Sequence, residues 1–103
     1  MKKQKKSEIK AKPKIKNFIR KIVKRSGRVV PFDQKKILVA VSKAFEATGE
    51  GNMRDARKVR DKVIQVLNKG YKKGDVPTVE ALQDIIERVL MILDFDETAK
   101  AYI

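Results

Sequence analysis

Ile22-Val23-Lys24-Arg25-Ser26-Gly27-Arg28-Val29-Val30-Pro31-Phe32-Asp33-Gln34-Lys35-Lys36-Ile37 is the stretch that decides how the rest of the chain is arranged. β-Branched and apolar residues recur from Phe18 to Val23 and again from Val29 to Phe32. The basic residues Lys24, Arg25 and Arg28 flank a Ser26-Gly27 pair between the two runs. A Ser-Gly connection between such runs predicts a β-hairpin with a two-residue primed turn, in which glycine accepts the positive φ. Pro31 donates no ladder hydrogen bond, so the second strand must lie at an edge or end there. Asp33 then offers a side-chain acceptor to the first free amides of a helix, which predicts a helix from Gln34 to Thr48 stopped by Gly49 and Gly51.

Working outward, Ile37, Ala40, Val41, Ala44 and Phe45 recur at the spacing of one helical face. Asn52 can cap a second helix from Met53 to Gly70, with Ala56, Val59, Val63, Val66 and Leu67 inward. Its other face, dense in Arg54, Arg57, Lys58, Arg60, Asp61 and Lys62, reads as solvated. The residues between, 70–77, are turn-rich, and Val76-Pro77-Thr78 could add a third strand to the hairpin. Thr78 caps a third helix that turns Val79, Leu82, Ile85, Ile86, Val89, Leu90 and Leu93 inward. Asp94 and Glu97 have the spacing of a capping box for a last helix, Phe95 to Ile103. The predicted fold is α+β, a small four-helix bundle capped by an N-terminal β-hairpin or short three-stranded sheet. It occupies residues 18–103. Residues 1–17 hold eight lysines and too few apolar groups to offset the entropy of ordering, so they read as a disordered tail.

Composition removes most catalytic chemistry. With no cysteine and no histidine, thiol nucleophiles, disulfides, imidazole metal sites and Ser-His arrangements are all excluded. The 13 acids are scattered among lysines, and there is no P-loop or glycine-rich dinucleotide turn, so the expectation is a protein that is not an enzyme. No apolar run approaches the roughly 18 residues of a membrane span, and the basic N-terminus is not followed by a signal-peptide core. A cytoplasmic location without membrane contact is expected. Residues 1–28 carry 13 Lys/Arg and one acid, whereas residues 29–103 carry 13 Lys/Arg and 12 acids. The basicity therefore belongs to one end of the chain.

One feature could bind a ligand. Lys24, Arg25 and Arg28 surround a tight turn, and Lys35-Lys36 lie in the first turn of the following helix. Turn amides, a helix N-terminus and flanking cations suit a polyphosphate, with Arg the better fork for bidentate contact. A solvated basic hairpin accounts for the same composition. The order of residues separates the two. Ile22 to Ile37 strongly resembles the opening of the ATP-cone domain. Pro77-Thr-Val-Glu-Ala-Leu-Gln-Asp-Ile-Ile-Glu-Arg-Val-Leu90 and Ala99-Lys-Ala-Tyr-Ile103 resemble its later blocks, in the same order over residues 20–103.

The resemblance implies a regulatory module that binds ATP or dATP, with Mg2+ accompanying the phosphates. Such modules usually stand at the N-terminus of ribonucleotide reductases, where they control activity and assembly, and also occur in repressors of reductase genes. It implies Lys24, Arg25 and Lys36 at the phosphates, and Val23, Phe32 and Ile37 on or beside the wall around the base. Asp33 would be a polar neighbour of the base, and Thr78, Val79 and Gln83 would lie near the nucleotide. Phe32, Ile37 and Val79 serve equally as plain core. Ser26 replaces an aspartate common in the family, and Val30 stands where some cones place an acid near the ribose, which leaves sugar discrimination open. The expected partners are ATP or dATP and either a second copy or a reductase catalytic chain. A different class of function remains, a nucleic-acid-binding regulator gripping phosphates through the lysines of residues 1–17. That segment lacks interleaved aromatics for base stacking.

Overall fold

In the computed structural model, which describes residues 17–102, the chain runs β1 (Lys21–Val23), β2 (Val29–Pro31), α1 (Gln34–Thr48), α2 (Met53–Gly70), α3 (Val79–Ile92) and α4 (Asp96–Tyr102). Of the expected tail, residues 1–16 lie outside the described residues, as does Ile103.

β1 and β2 pair antiparallel, with Lys21 opposite Pro31, Ile22 opposite Val30 and Val23 opposite Val29. The hairpin is where the sequence puts it, but its turn is different. Gly27 N donates to Lys24 O at 2.8 Å and Lys24 N donates to Arg28 O at 2.8 Å, so Arg25, Ser26 and Gly27 form a three-residue loop. Gly27 takes φ 89°, while Asp94 is the sole non-glycine with positive φ among the described residues. Ser26 therefore cannot occupy a primed turn, and Gly27 instead supplies the left-handed step that closes a bulged loop. Pro31 ends β2 at the free edge. On the other side of β1, Val23 N donates to Pro77 O at 2.9 Å, and Val23 forms a single parallel bridge with Thr78. The expected third strand is thus reduced to one bridge, because α3 begins at the next residue.

The helix starts follow their caps. The Asp33 side chain accepts from Lys35 N, Asn52 and Asp55 form a reciprocal capping box, and Thr78 accepts from Ala81 N. The expected Asp94 cap of α4 does not form. Asp94 adopts φ 68°, Phe95 N donates to Leu90 O at 2.8 Å, and Asp94 N donates to Met91 O at 3.0 Å. These are the two bonds of a Schellman motif, so Asp94 closes α3 in place of the usual glycine. α4 is capped from across the bundle. One Glu50 carboxylate oxygen accepts from both Thr98 N and Thr98 Oγ1 at 2.7 Å, and the Thr48 and Thr98 hydroxyls meet at 2.8 Å. Thr98 is fully buried, and these bonds satisfy it. The Thr98 hydroxyl bond holds the Glu50 carboxyl below its ordinary pKa. Its contribution to stability is therefore present above the ordinary carboxylate pKa and is lost in acid as the carboxylate protonates.

Each helix packs on two neighbours: α1 on α2 and α4, α3 on α2 and α4. α2 and α4 thus occupy opposite corners. The core between them contains Val41, Phe45, Val59, Val63, Leu67, Ile86 and Leu90. Phe45 meets Phe95 edge-on with ring centres 4.9 Å apart. Its ring also lies flat against Gly51, where a Cβ would sit 2.8 Å from three ring carbons. Gly51 is therefore required by close approach, beyond any role in stopping α1. Ile19 and Ile64 are buried as well, although neither was among the expected inward positions. Ala40, Val66 and Leu93, expected inward, are half-buried at the margin of the core.

Candidate functional site

The hairpin, the start of α1, the start of α3 and the end of α4 enclose a cleft of about 180 Å³. Its floor is apolar, made by Ile22, Val30, Phe32, Ile37, Leu82 and Ile86. These residues meet because β1, β2 and α1 follow one another almost without linkers, while the Val23–Thr78 bridge holds the first turn of α3 against the hairpin. Val79 and Leu82 belong to the apolar face of α3 and are half-buried in the cleft wall, with Leu82 also packed against the core. Polar groups stand at the rim: Lys24, Asp33, Lys36 and Gln83. An adjoining hollow of about 340 Å³ is lined by Lys24, Arg25, Ser26, Arg28 and Val79. Lys24 and Val79 border both spaces, so an apolar slot opens into a basic one.

Of the ten residues singled out from the sequence, Lys24, Phe32, Asp33, Lys36, Ile37, Val79 and Gln83 line the cleft. Arg25 lines the basic hollow. Val23 and Thr78 line neither space and instead fasten the hairpin to α3, with Thr78 also capping that helix. Asp33 likewise has a structural task, since its Oδ1 accepts from Lys35 N at 2.9 Å.

Arg25 reaches across the mouth. Its Nε lies 3.4 Å from a Glu80 carboxylate oxygen, and one terminal nitrogen donates to Gln83 Oε1 at 3.2 Å. Both charged side chains are largely exposed, and such pairs are worth about 0–1 kcal/mol. A charge-assisted bond to an anion is worth about 1.5–3 kcal/mol. Arg25 can therefore exchange Glu80 for a phosphate at a net gain. At the start of α1 the Asp33 carboxylate already takes the Lys35 amide, so Lys36 is the positive charge that this helix brings to the rim.

Tyr102, which projects into the cleft from α4, was not among the expected site residues. Burial raises its phenol pKa, so at neutral pH it presents an uncharged ring. Its signal in the sequence was the Ala99-to-Tyr102 block itself. Among the described residues, no group of three or more acids could hold a metal ion, and no helix is long and apolar enough to cross a membrane.

A family model described as the ATP cone domain matches residues 20–103, which include every residue that forms this cleft. The chain belongs to the ATP-cone family. It is 41% identical over 91 residues to a vitamin B12-dependent ribonucleoside-diphosphate reductase of Thermoplasma acidophilum, covering 84% of this chain and 11% of that protein. It is 34% identical over 91 residues to the alpha subunit of ribonucleoside-diphosphate reductase of Chlamydia pneumoniae, and 32% identical to that of Chlamydia muridarum. In both cases 80% of this chain and 9% of the relative are covered. The chain thus spans about a tenth of the length of these curated relatives. Cone membership supports a nucleotide-binding regulatory role.

Proposed function

We propose that this cone is an adenine-nucleotide sensor that binds ATP or dATP in the cleft between hairpin, α1 and α3. The observation that carries this reading is the continuity of an apolar slot with a cationic hollow at Lys24. The slot suits a base and the hollow suits phosphates. In this arrangement Phe32, Ile37 and Val79 wall the base, with Val23 supporting that wall from the strand behind. Asp33 and Gln83 offer it polar edges. Lys24, Arg25 and Lys36 hold the phosphates, and Thr78 keeps the α3 amides aimed at the same place. Mg2+, where present, is coordinated by the phosphates, since the described residues supply no carboxylate cluster.

A ligand in the cleft touches both β-strands, α1, α3 and, through Tyr102, α4 at once. Nucleotide binding would then tighten the packing of α4 against the rest of the cone, and a partner that meets α4 would sense the bound state. By this reading the domain regulates a ribonucleotide reductase, through its catalytic chain or through self-association, and carries no catalytic group of its own.

Isothermal titration calorimetry with four nucleotides tests the binding. ATP and dATP should bind at least about tenfold more tightly than GTP or CTP, a difference of about 1.4 kcal/mol. Equal affinity for all four would show that the phosphates alone are recognised. No heat at millimolar ATP would refute the nucleotide reading.

A further inference from the structure

Arg25 stands between two hollows of opposite character. In the basic hollow its neighbours are Lys24, Ser26, Arg28 and Val79. A second hollow, of about 140 Å³, is lined by Arg25 together with Gln83, Asp84, Glu87 and Tyr102. The donors of Arg25 go to α3: Nε to Glu80 at 3.4 Å and a terminal nitrogen to Gln83 Oε1 at 3.2 Å.

Glu80, Asp84 and Glu87 follow one another at helical spacing and so share one face of α3. Neither Asp84 nor Glu87 forms an ion pair among the described residues, and neither does Arg88, one turn beyond Asp84. Arg25 is therefore the one cation that the described residues hold against this acidic face. Like charges one turn apart destabilise a helix, and a guanidinium laid beside them offsets part of that cost. Glu80 also lies in the first turn of α3, where the helix dipole favours a carboxylate. The dipole accounts for an acid at that position. It does not account for the grip on Arg25, or for the two further acids beside it.

A phosphate would ask of Arg25 what Glu80 already takes. Nε and the terminal nitrogen beside it are the two donors of a side-on fork, the grip that suits carboxylate and phosphate alike. Both are engaged by α3. A bidentate hold on phosphate through that edge must first release Glu80 and Gln83. Gln83 lines the cleft as well, so the same step frees its carboxamide for a ligand there.

We propose, building on the nucleotide reading above, that Glu80, backed by Asp84 and Glu87, is a built-in competitor for phosphate. It holds Arg25 against α3 and so raises the nucleotide concentration at which the cleft fills. A ligand without phosphate leaves Arg25 on Glu80 and does not meet this competition.

Calorimetric titration of the full chain with ATP, inorganic tripolyphosphate and adenosine tests this. E80Q keeps the length of the side chain and removes its charge. It should bind ATP and tripolyphosphate about three- to fivefold more tightly than the wild type, the upper range for an exposed ion pair, with adenosine unchanged. In an R25A background the same substitution should alter ATP affinity by less than about twofold, since the pair is already gone. E80Q gives up a favourable charge at the start of α3, so its melting temperature should fall slightly. D84N/E87Q leaves both the first turn of α3 and the Arg25–Glu80 pair in place and should gain about twofold. ATP affinity in E80Q at or below that of the wild type would overturn the proposal. So would an equal gain with and without Arg25, which would make Glu80 a general repulsive charge. If the wild type binds tripolyphosphate but does not distinguish ATP from GTP, the adenine reading fails while the E80Q comparison still reads the competitor. Binding of neither ATP nor tripolyphosphate by the wild type would overturn both.

Discussion

Replacing Lys24 and Arg25 together with alanine should weaken ATP binding by about a hundredfold or more without lowering the melting temperature. Each side chain makes a charge-assisted contact to phosphate in this account, and such contacts are worth about 1.5–3 kcal/mol, or roughly 10- to 100-fold. Both residues are exposed at the loop, so solvent screening places the effect toward the lower end. The two positions are adjacent and share a ligand, so their effects need not add. Little is at stake for the fold, since Lys24 lies in no described ion pair and Arg25 gives up one exposed pair with Glu80 and one bond to Gln83. Calorimetry on the double variant, with a thermal melt alongside, measures both quantities. Wild-type affinity would place the phosphates elsewhere, and a large drop in melting temperature would make the loop structural.

Phe45→Ala should have the opposite profile, a large loss of stability with loss of binding only as a consequence. The ring is nearly fully buried, stacks edge-on with Phe95 and fills the space against Gly51. Truncating such a residue costs about 3–5 kcal/mol. A domain of this size has about 5–15 kcal/mol in all, often near the lower end. The variant should therefore unfold at a much lower urea concentration, and saturating ATP should restore part of the loss by mass action. A shift in midpoint corresponding to less than about 1 kcal/mol would mean that the α1–α4 corner is loosely packed.

The first three helices were legible because each begins at a side chain able to cap it. Asp33, Asn52 and Thr78 stand where the first free amides need an acceptor, and all three caps form. Capping is local, so sequence reveals it. The start of α4 was misread for the converse reason, since its cap is Glu50, which lies 48 residues away from Thr98. Asp94 had the right spacing for a cap but is taken up by the Schellman closure of α3. The hairpin turn was placed correctly and typed wrongly, because Ser26-Gly27 can sit in a two-residue turn or end a three-residue bulged loop. Val79 and Leu82 look like core in any helical projection. Only the docking of the hairpin through Val23 and Thr78 leaves them facing a cleft. Tyr102 was missed as a lining residue because α4 brings it in from the other end of the chain.

The central claim, that an adenine nucleotide occupies the cleft between hairpin, α1 and α3, is tested most directly by amide chemical shifts of the labelled protein during titration with ATP. The account predicts saturable shifts at Lys24, Phe32, Lys36, Ile37, Val79, Gln83 and Tyr102, with Arg54, Lys58 and Lys62 unmoved. Saturable shifts centred on α2 with the cleft residues unmoved would contradict it.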